Sequence, residues 1–256
     1  MQYVIPAAGV GSRFVEAGFK TIKPLIPVGG VPMILWPIFN LTIEPQDLII
    51  IVTKKGDNLE SIRETWLKSL RCGVIIFEMQ ELSEGPASTV EAVKPELIMS
   101  LPLIVLNSDQ YVSTKIENYI SELRNAVTNF GSIVTMLASS QKWSYIGRDS
   151  NDVINQVIEK VEISSEATVG IYGWSKAHLF FDSLEMMKHE NLRVNNEFYV
   201  APTFNYLIQK EIEIRTFDVG LVGEAVHGLG TPMDLEEFLV NPVMLHDIEE
   251  LISKFK

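Results

Sequence analysis

Apolar runs short enough for strands alternate with amphipathic segments along the first part of the chain. Residues 3–6, 47–53, 73–79 and 102–107 read as strands, and residues 58–69 and 87–98 read as amphipathic segments between them. The strands are apolar at nearly every position rather than at every second one, so both of their faces must be covered. That predicts a parallel sheet with helices on either side. The later part is less regular: residues 132–138, 153–160, 168–173 and 212–219 read as strands, residues 176–189 and 200–209 as helices, and two more helices start at Met233 and Val243. The expected architecture is α/β, a single domain over residues 1–256 with a mostly parallel, mixed central sheet flanked by helices. It divides after Val112 into a parallel half and a mixed half. No linker rich in Pro, Gly or Ser, no repeat and no low-complexity tract interrupts it.

In such sheets ligands bind where the strands end at their carboxyl edge. The first strand runs into Ala7-Ala8-Gly9-Val10-Gly11-Ser12-Arg13-Phe14, followed later by Lys23-Pro24-Leu25. Small residues let backbone N–H groups approach an anion, and Arg13 and Lys23 add fixed positive charge, so the segment can cradle a triphosphate. Gly9 and Gly11 taken alone fit a tight strand-to-helix connection better than a phosphate site. The spacing is neither the dinucleotide fingerprint nor a P-loop. Asp109 follows the strand at 102–107, where a carboxylate can hold Mg²⁺ against phosphate oxygens or simply cap a turn. Gln80 closes the strand at 73–79 and Gly85-Pro86 follows. An amide edge beside an approachable glycine suits uracil or thymine, while a solvated loop with Pro86 opening a helix is the alternative. Glu159-Lys160 ends another strand, as an exposed pair or as a point charge for an anion.

Composition narrows the classes. With 256 residues, 46% of them hydrophobic, the chain can bury a sizeable core. A formal net charge of −12 argues against nucleic-acid binding, so substrate phosphates must be met by local charge and by metal. The single cysteine, Cys72, excludes an intrachain disulfide and a cysteine zinc site, fits a reducing compartment, and is expected just ahead of a buried strand. The first strand starts almost at once without a basic leader, and no apolar run approaches the ~18 residues of a membrane span. A cytoplasmic protein with no membrane partner is expected.

From Pro6 to Gly11, together with Lys23-Pro24-Leu25, the chain resembles the glycine-rich signature and Lys-Pro-Leu segment of the sugar-phosphate nucleotidyltransferases. That family includes glucose-1-phosphate thymidylyltransferases and uridylyltransferases. The resemblance implies a Rossmann-like, GT-A-like nucleotide-diphospho-sugar transferase fold. In it the phosphate of a sugar 1-phosphate, or of a similar phosphorylated small-molecule acceptor, attacks the α-phosphorus of a nucleoside triphosphate and releases pyrophosphate. It further implies Mg²⁺ as cofactor and a role in surface polysaccharide precursor synthesis. The residues carried over are Ala7, Ala8, Gly9, Gly11, Gln80 and Gly85 for the nucleotide, with a pyrimidine base, and Arg13 and Lys23 for its phosphates. Asp109 takes the metal. Glu159-Lys160 resembles the family's Glu-Lys-Pro, with Val161 replacing the proline, and the segments around Gly170 and Glu197 resemble two acceptor-contacting stretches. Tyr145 falls where the family has a sugar-contacting tyrosine, with Ile146 in place of the usual glycine.

One departure stands out. His227 to Leu235 resembles Asp-x-Gly-Thr-Pro-x-Asp-Leu, but Gly228 stands where the family has a second metal aspartate. Thr231, Pro232 and Asp234 read as an N-cap, a first-turn proline and a third-position acid. His227 is a poor ligand for Mg²⁺, which prefers oxygen. Gly228 therefore leaves a rival reading: a catalytically inactive nucleotide-sugar sensor or regulatory subunit.

Overall fold

The computed structural model describes residues 1–39 and 41–255, without the side chains of residues 243–245, 254 and 255. The first half contains β1 (Gln2–Pro6), α1 (Ser12–Glu16), the short hairpin β2 (Pro27–Val28) and β3 (Val31–Pro32), α2 (Trp36–Phe39), β4 (Leu48–Lys54), α3 (Glu60–Thr65), β5 (Gly73–Met79), α4 (Pro86–Glu91), β6 (Leu103–Leu106) and β7 (Gln110–Val112). The second contains α5 (Glu117–Arg124), β8 (Phe130–Leu137), β9 (Ser144–Arg148), β10 (Ile154–Glu159), β11 (Glu166–Trp174), α6 (Ala177–His189), α7 (Phe204–Gln209), β12 (Glu213–Leu221), β13 (Val226–Gly228), α8 (Pro232–Leu239) and α9 (Pro242–Phe255).

Among the described residues the main sheet has nine strands. Strands β5, β4, β1 and β6 are parallel neighbours in that order, and β11 adds antiparallel to β6. The other edge of β11 carries β8 and then β12, while its first residues also touch the hairpin of β9 and β10. A parallel core extended by antiparallel strands is the mixed α/β sheet that the hydrophobic pattern predicts.

Unbroken apolar strands have a direct counterpart in the packing. Tyr3 and Ile5 of β1 join Ile49, Ile51, Ile104 and Leu106 in one apolar layer, whereas Val4 joins Ile50, Val52, Leu103 and Val105 in the opposite one. Two expectations need correcting. Strand β5 is the edge of the sheet and its apolar residues are only half-buried, so Cys72 precedes a half-buried edge strand, not a buried one. The amphipathic stretch 87–98 is also not continuous: α4 stops at Glu91, and Pro95, which has no N–H to continue a helix, sits in a separate short turn, Lys94–Glu96. No helix among the described residues is long and apolar enough to cross a membrane.

The end of α5 is fixed to the start of β4 by a forked ion pair. Arg124 Nη1 and Nη2 donate to Asp47 Oδ1 and Oδ2, each at 2.8 Å, and Asp47 Oδ2 also accepts the Glu44 N–H at 2.8 Å. Burial pushes the Asp47 carboxyl up, but the Arg124 and backbone donors outweigh it and hold the group below the usual carboxylate range. A depressed carboxylate stabilises the fold above its unfolded pKa of ~3.9 and loses that contribution as pH falls through the folded value. Arg124→Ala should therefore cost about 2 kcal/mol at neutral pH in chemical denaturation, because it strips two charge-assisted hydrogen bonds from a buried carboxylate and leaves it only the Met1 ammonium, 3.0 Å from Oδ1, and the Glu44 N–H. Asp47→Asn should flatten the acid limb of the stability curve relative to the native chain.

Candidate functional site

Two clefts open side by side at the carboxyl ends of β1 and β6. The first, about 240 Å³, is walled by Ala7, Ala8, Gly9 and Gly11 on one side and by Leu82, Ser83 and Gly85 on the other. The second, about 380 Å³, is walled by Arg13, Asp109, Glu159, Lys160 and Gly170. Pro6, Lys23, Pro86, Ser108 and Glu197 belong to both walls, so the clefts meet there. Gly11 allows this closeness: it has φ +66°, and a Cβ on it would come within 3.0 Å of Lys23 Cβ.

At the junction Lys23 Nζ donates to Asp109 Oδ2 at 2.5 Å, with both side chains partly open to solvent. The Asp109 carbonyl accepts the Leu229 N–H at 2.7 Å, and a Cβ on Gly230 would stand 2.9 Å from Asp109 Oδ2. Gly230, read in the sequence only as part of a motif, is thus the residue that lets the 228–231 segment lie against Asp109. No group of three or more His, Cys, Asp or Glu side chains suited to a metal lies among the described residues. A single carboxylate beside phosphate-sized space suits Mg²⁺ that arrives with phosphate oxygens and keeps waters, and does not suit a metal held by protein alone.

Gly228 lies opposite Gln110 in the β13–β7 ladder. A Cβ there would sit 3.7 Å from Asp234 Cγ and 3.8 Å from Trp143 Cη2. The Asp234 carboxylate is already engaged: Lys142 Nζ donates to it at 2.8 Å and the Thr231 hydroxyl at 2.7 Å, while its own N–H donates to Thr231 Oγ1 at 3.1 Å. Burial raises the Asp234 pKa, but Lys142 and Thr231 outweigh it and the group lies below its ordinary value. This is the helix-capping role expected from the sequence. His227 lines neither cleft; its ring packs against Tyr111 and Phe238, and burial pushes its pKa down.

In the second cleft, Glu159 is buried, accepts the Ser144 hydroxyl, and has its pKa raised by burial in spite of Ser144 and nearby Lys160. Lys160 donates to the Tyr199 hydroxyl and lies 4.2 Å from that ring's centre. Gly170 sits in a bulge of β11 at φ +80°, where a Cβ would be 2.3 Å from Asn107 Nδ2; it lets β11 press against the end of β6. Gly85, at φ +121°, would put a Cβ 2.7 Å from the Phe198 N, so only glycine brings loop 82–87 against residues 197–198.

Three sequence-derived candidates lie elsewhere than the sequence placed them. Arg13 lines the second cleft and not the first. Gln80 lines neither cleft and accepts Lys55 Nζ at 2.9 Å on the surface. Tyr145 is fully buried, its hydroxyl donating to the Ser140 carbonyl at 2.8 Å and accepting the Ser140 N–H at 2.7 Å. Lys142 and Trp143, which the sequence did not single out, do line the second cleft. The packing at Gly228 generates a test. Gly228→Asp sets a second carboxylate beside Asp234, and like charges at that range repel. The variant should melt at lower temperature and bind Mn²⁺, followed by electron paramagnetic resonance, no more tightly than the native chain.

Residues 2–204 match the Nucleotidyl transferase family. The mannose-1-phosphate guanylyltransferase catalytic subunit beta of Drosophila melanogaster is 25% identical over 174 residues, 66% of this chain and 47% of that protein. The chain therefore spans about half the length of that curated relative. Among solved structures, a nucleoside-diphosphate-sugar pyrophosphorylase from Vibrio cholerae superposes with a TM-score of 0.79 at 22% identity, covering 93% of this chain and all of the other. An inositol-1-phosphate CTP transferase from T. maritima superposes with a TM-score of 0.71 at 15% identity, covering 100% of this chain and 96% of that one. The likeness to these structures is one of fold. The match of the family over most of the chain carries the assignment: this protein belongs to the nucleotidyl transferase family.

Proposed function

We propose that this chain joins a nucleoside triphosphate to a phosphorylated small-molecule acceptor, a sugar 1-phosphate or a close analogue, and releases pyrophosphate. The supporting observation is that the two clefts meet at Lys23: one is walled by small residues that admit phosphates, the other by cations and hydrogen-bonding carboxylates. An acceptor phosphate oxygen in the second cleft would attack the α-phosphorus lying at the shared wall. The bond to the oxygen bridging to the β-phosphate would break, and that oxygen would leave with pyrophosphate. No covalent enzyme intermediate is required, and the protein's contribution is alignment and charge stabilisation.

In this reading Lys23 exchanges its carboxylate partner for the α-phosphate, Lys160 holds the attacking phosphate, and Glu159 and Glu197 accept acceptor hydroxyls. Arg13 faces the acceptor side in the free protein, and meeting the β- and γ-phosphates requires its side chain to cross the shared opening. Asp109 would hold Mg²⁺, whose charge offsets that of the phosphate oxygens. Residues up to about Val112 would then form the nucleotide half and the remainder the acceptor half. For the base we favour a pyrimidine, on the strength of Gly85 in the first cleft and Gln80 nearby. Gln80 would have to release Lys55 to take part. Supply of polysaccharide precursors is the biological role that this reaction would serve.

A binding-only sensor remains the second reading, favoured by Gly228. Lys23 and Asp109 facing a shared reaction space favour the enzyme. Pyrophosphate release, screened over nucleoside triphosphates paired with phosphorylated metabolites, separates them. Turnover with at least one pair is expected, whereas tight nucleotide-sugar binding with no release from any pair selects the sensor. Lys23→Ala or Arg13→Ala should lower kcat/KM by ~10²-fold, the scale of one oriented electrostatic contact. Asp109→Asn should abolish metal-dependent release without unfolding the protein, and normal turnover would remove Asp109 from the mechanism. Calorimetric titration of UTP, dTTP, CTP, ATP and GTP with Mg²⁺ tests the base, and tightest binding of a purine nucleotide overturns that preference.

A further inference from the structure

Between α6 and α7 the chain forms a strap held in shape by its own backbone. Val194 and Glu197 exchange both backbone hydrogen bonds at 3.0 Å, and the residues between them, Asn195 and Asn196, have φ +50° and +64°. That is a tight two-residue turn with both central residues at positive φ, a conformation asparagine tolerates better than most. The turn delivers Glu197 to the wall common to both clefts, and the next residues carry Phe198 and then Tyr199, the hydroxyl partner of Lys160.

The strap is fastened to the first cleft's loop. Phe198 N–H donates to the Glu84 carbonyl at 2.7 Å, and Ala87 N–H donates to the Phe198 carbonyl at 3.0 Å. Arg193 adds a side-chain clip across the same joint. Its Nη2 donates to Glu84 Oε1 at 2.7 Å, Nη1 to the Asn196 carbonyl at 3.2 Å and Nε to Asn191 Oδ1 at 2.7 Å, while the guanidinium lies 4.0 Å from the centre of the Phe198 ring. One planar group thus ties the loop that walls the nucleotide cleft to the turn that aims Glu197. Lysine cannot make the same set of contacts.

We propose that Arg193 is a positioning residue that couples the two clefts, so that ordering loop 82–87 around a nucleotide also sets Glu197 and Tyr199 for the acceptor. The inference rests on the two-substrate reading given above. Coupling of this kind is reciprocal, each ligand raising the affinity of the other by one factor.

Calorimetry on the full chain tests it. The nucleotide probe is the α,β-methylene analogue, with Mg²⁺, of whichever of the five triphosphates binds tightest, and the acceptor probe is glucose 1-phosphate. In the native chain saturating nucleotide should tighten glucose 1-phosphate binding at least ~5-fold, within the usual range of coupling between sites. Arg193→Ala should cut that factor at least ~2-fold, the Phe198–Glu84 and Ala87–Phe198 backbone bonds carrying what remains, while leaving each probe's affinity for the otherwise unliganded protein within about twofold, and Arg193→Lys should fall between. A purely structural arginine would instead weaken both probes and lower the melting temperature while leaving the factor unchanged. The inference is overturned if Arg193→Ala retains the factor, or if the native chain shows no tightening of glucose 1-phosphate, including by failing to bind it. Failure of all five triphosphates to bind overturns the two-substrate reading as well, so the two failures are distinguishable.

Discussion

Strands β1 and β6 are parallel neighbours, with Gln2 level with Leu103 and Val4 level with Val105, and this register sets where the chemistry can happen. The same offset carried forward puts Pro6 level with Asn107, so the small-residue loop and the segment bearing Asp109 leave the sheet together. Because β4 pairs with the other edge of β1, the chain must cross the sheet between β5 and β6, and the crevice at such a crossing is where open α/β sheets bind ligands. Lys23 reaches Asp109 from that crevice; Lys23 belongs to the wall the two clefts share, and Asp109 faces the second.

The second half is docked onto the first through glycines that leave no room for a side chain. Gly85 of the first half lies against Phe198, Gly170 of the second against Asn107, and Gly230 against the Asp109 carboxylate. At each position a Cβ would meet atoms inside ordinary van der Waals distance, and at Gly85 and Gly170 the backbone is also in the positive-φ region. At Gly85 the atoms met are the Phe198 backbone, so a side chain there would prise the halves apart; at Gly170 and Gly230 they are the side-chain ends of Asn107 and Asp109, which a side chain would displace where the ligands are proposed to meet. The strap of residues 191–199 works in the same joint, with an ion pair and a stacked ring in place of close backbone approach.

What the sequence made legible follows from locality. Parallel strands buried on both faces advertise themselves as unbroken apolar runs, and the loops at their ends show as small or charged residues, so the first half and the Gly9 and Asp109 segments could be read directly. Strand β5 misleads because Val74 to Phe77 are as apolar as a central strand, and position at the sheet edge leaves no local mark. Strand β9 has no apolar run at all; its Ser-Tyr-Ile-Gly-Arg sequence depends on Gly147 fitting against Gln156, where a Cβ would approach to 2.4 Å. Tyr145 matched a family position, yet its hydroxyl turns inward to Ser140, because the face a strand residue presents depends on its partners. Gly230 and Arg193 matter through residues far away in the chain, which spacing cannot reveal.

The central claim is that the triphosphate and the acceptor meet at Lys23 and Asp109. A crystal structure with the α,β-methylene analogue of the preferred triphosphate and Mg²⁺ tests it most directly. The account predicts phosphates against residues 7–11, the α-phosphate on Lys23, the metal on Asp109, and the Lys23–Asp109 contact opened. A triphosphate bound away from residues 7–11, or one bound there with that contact closed and no metal on Asp109, would contradict it.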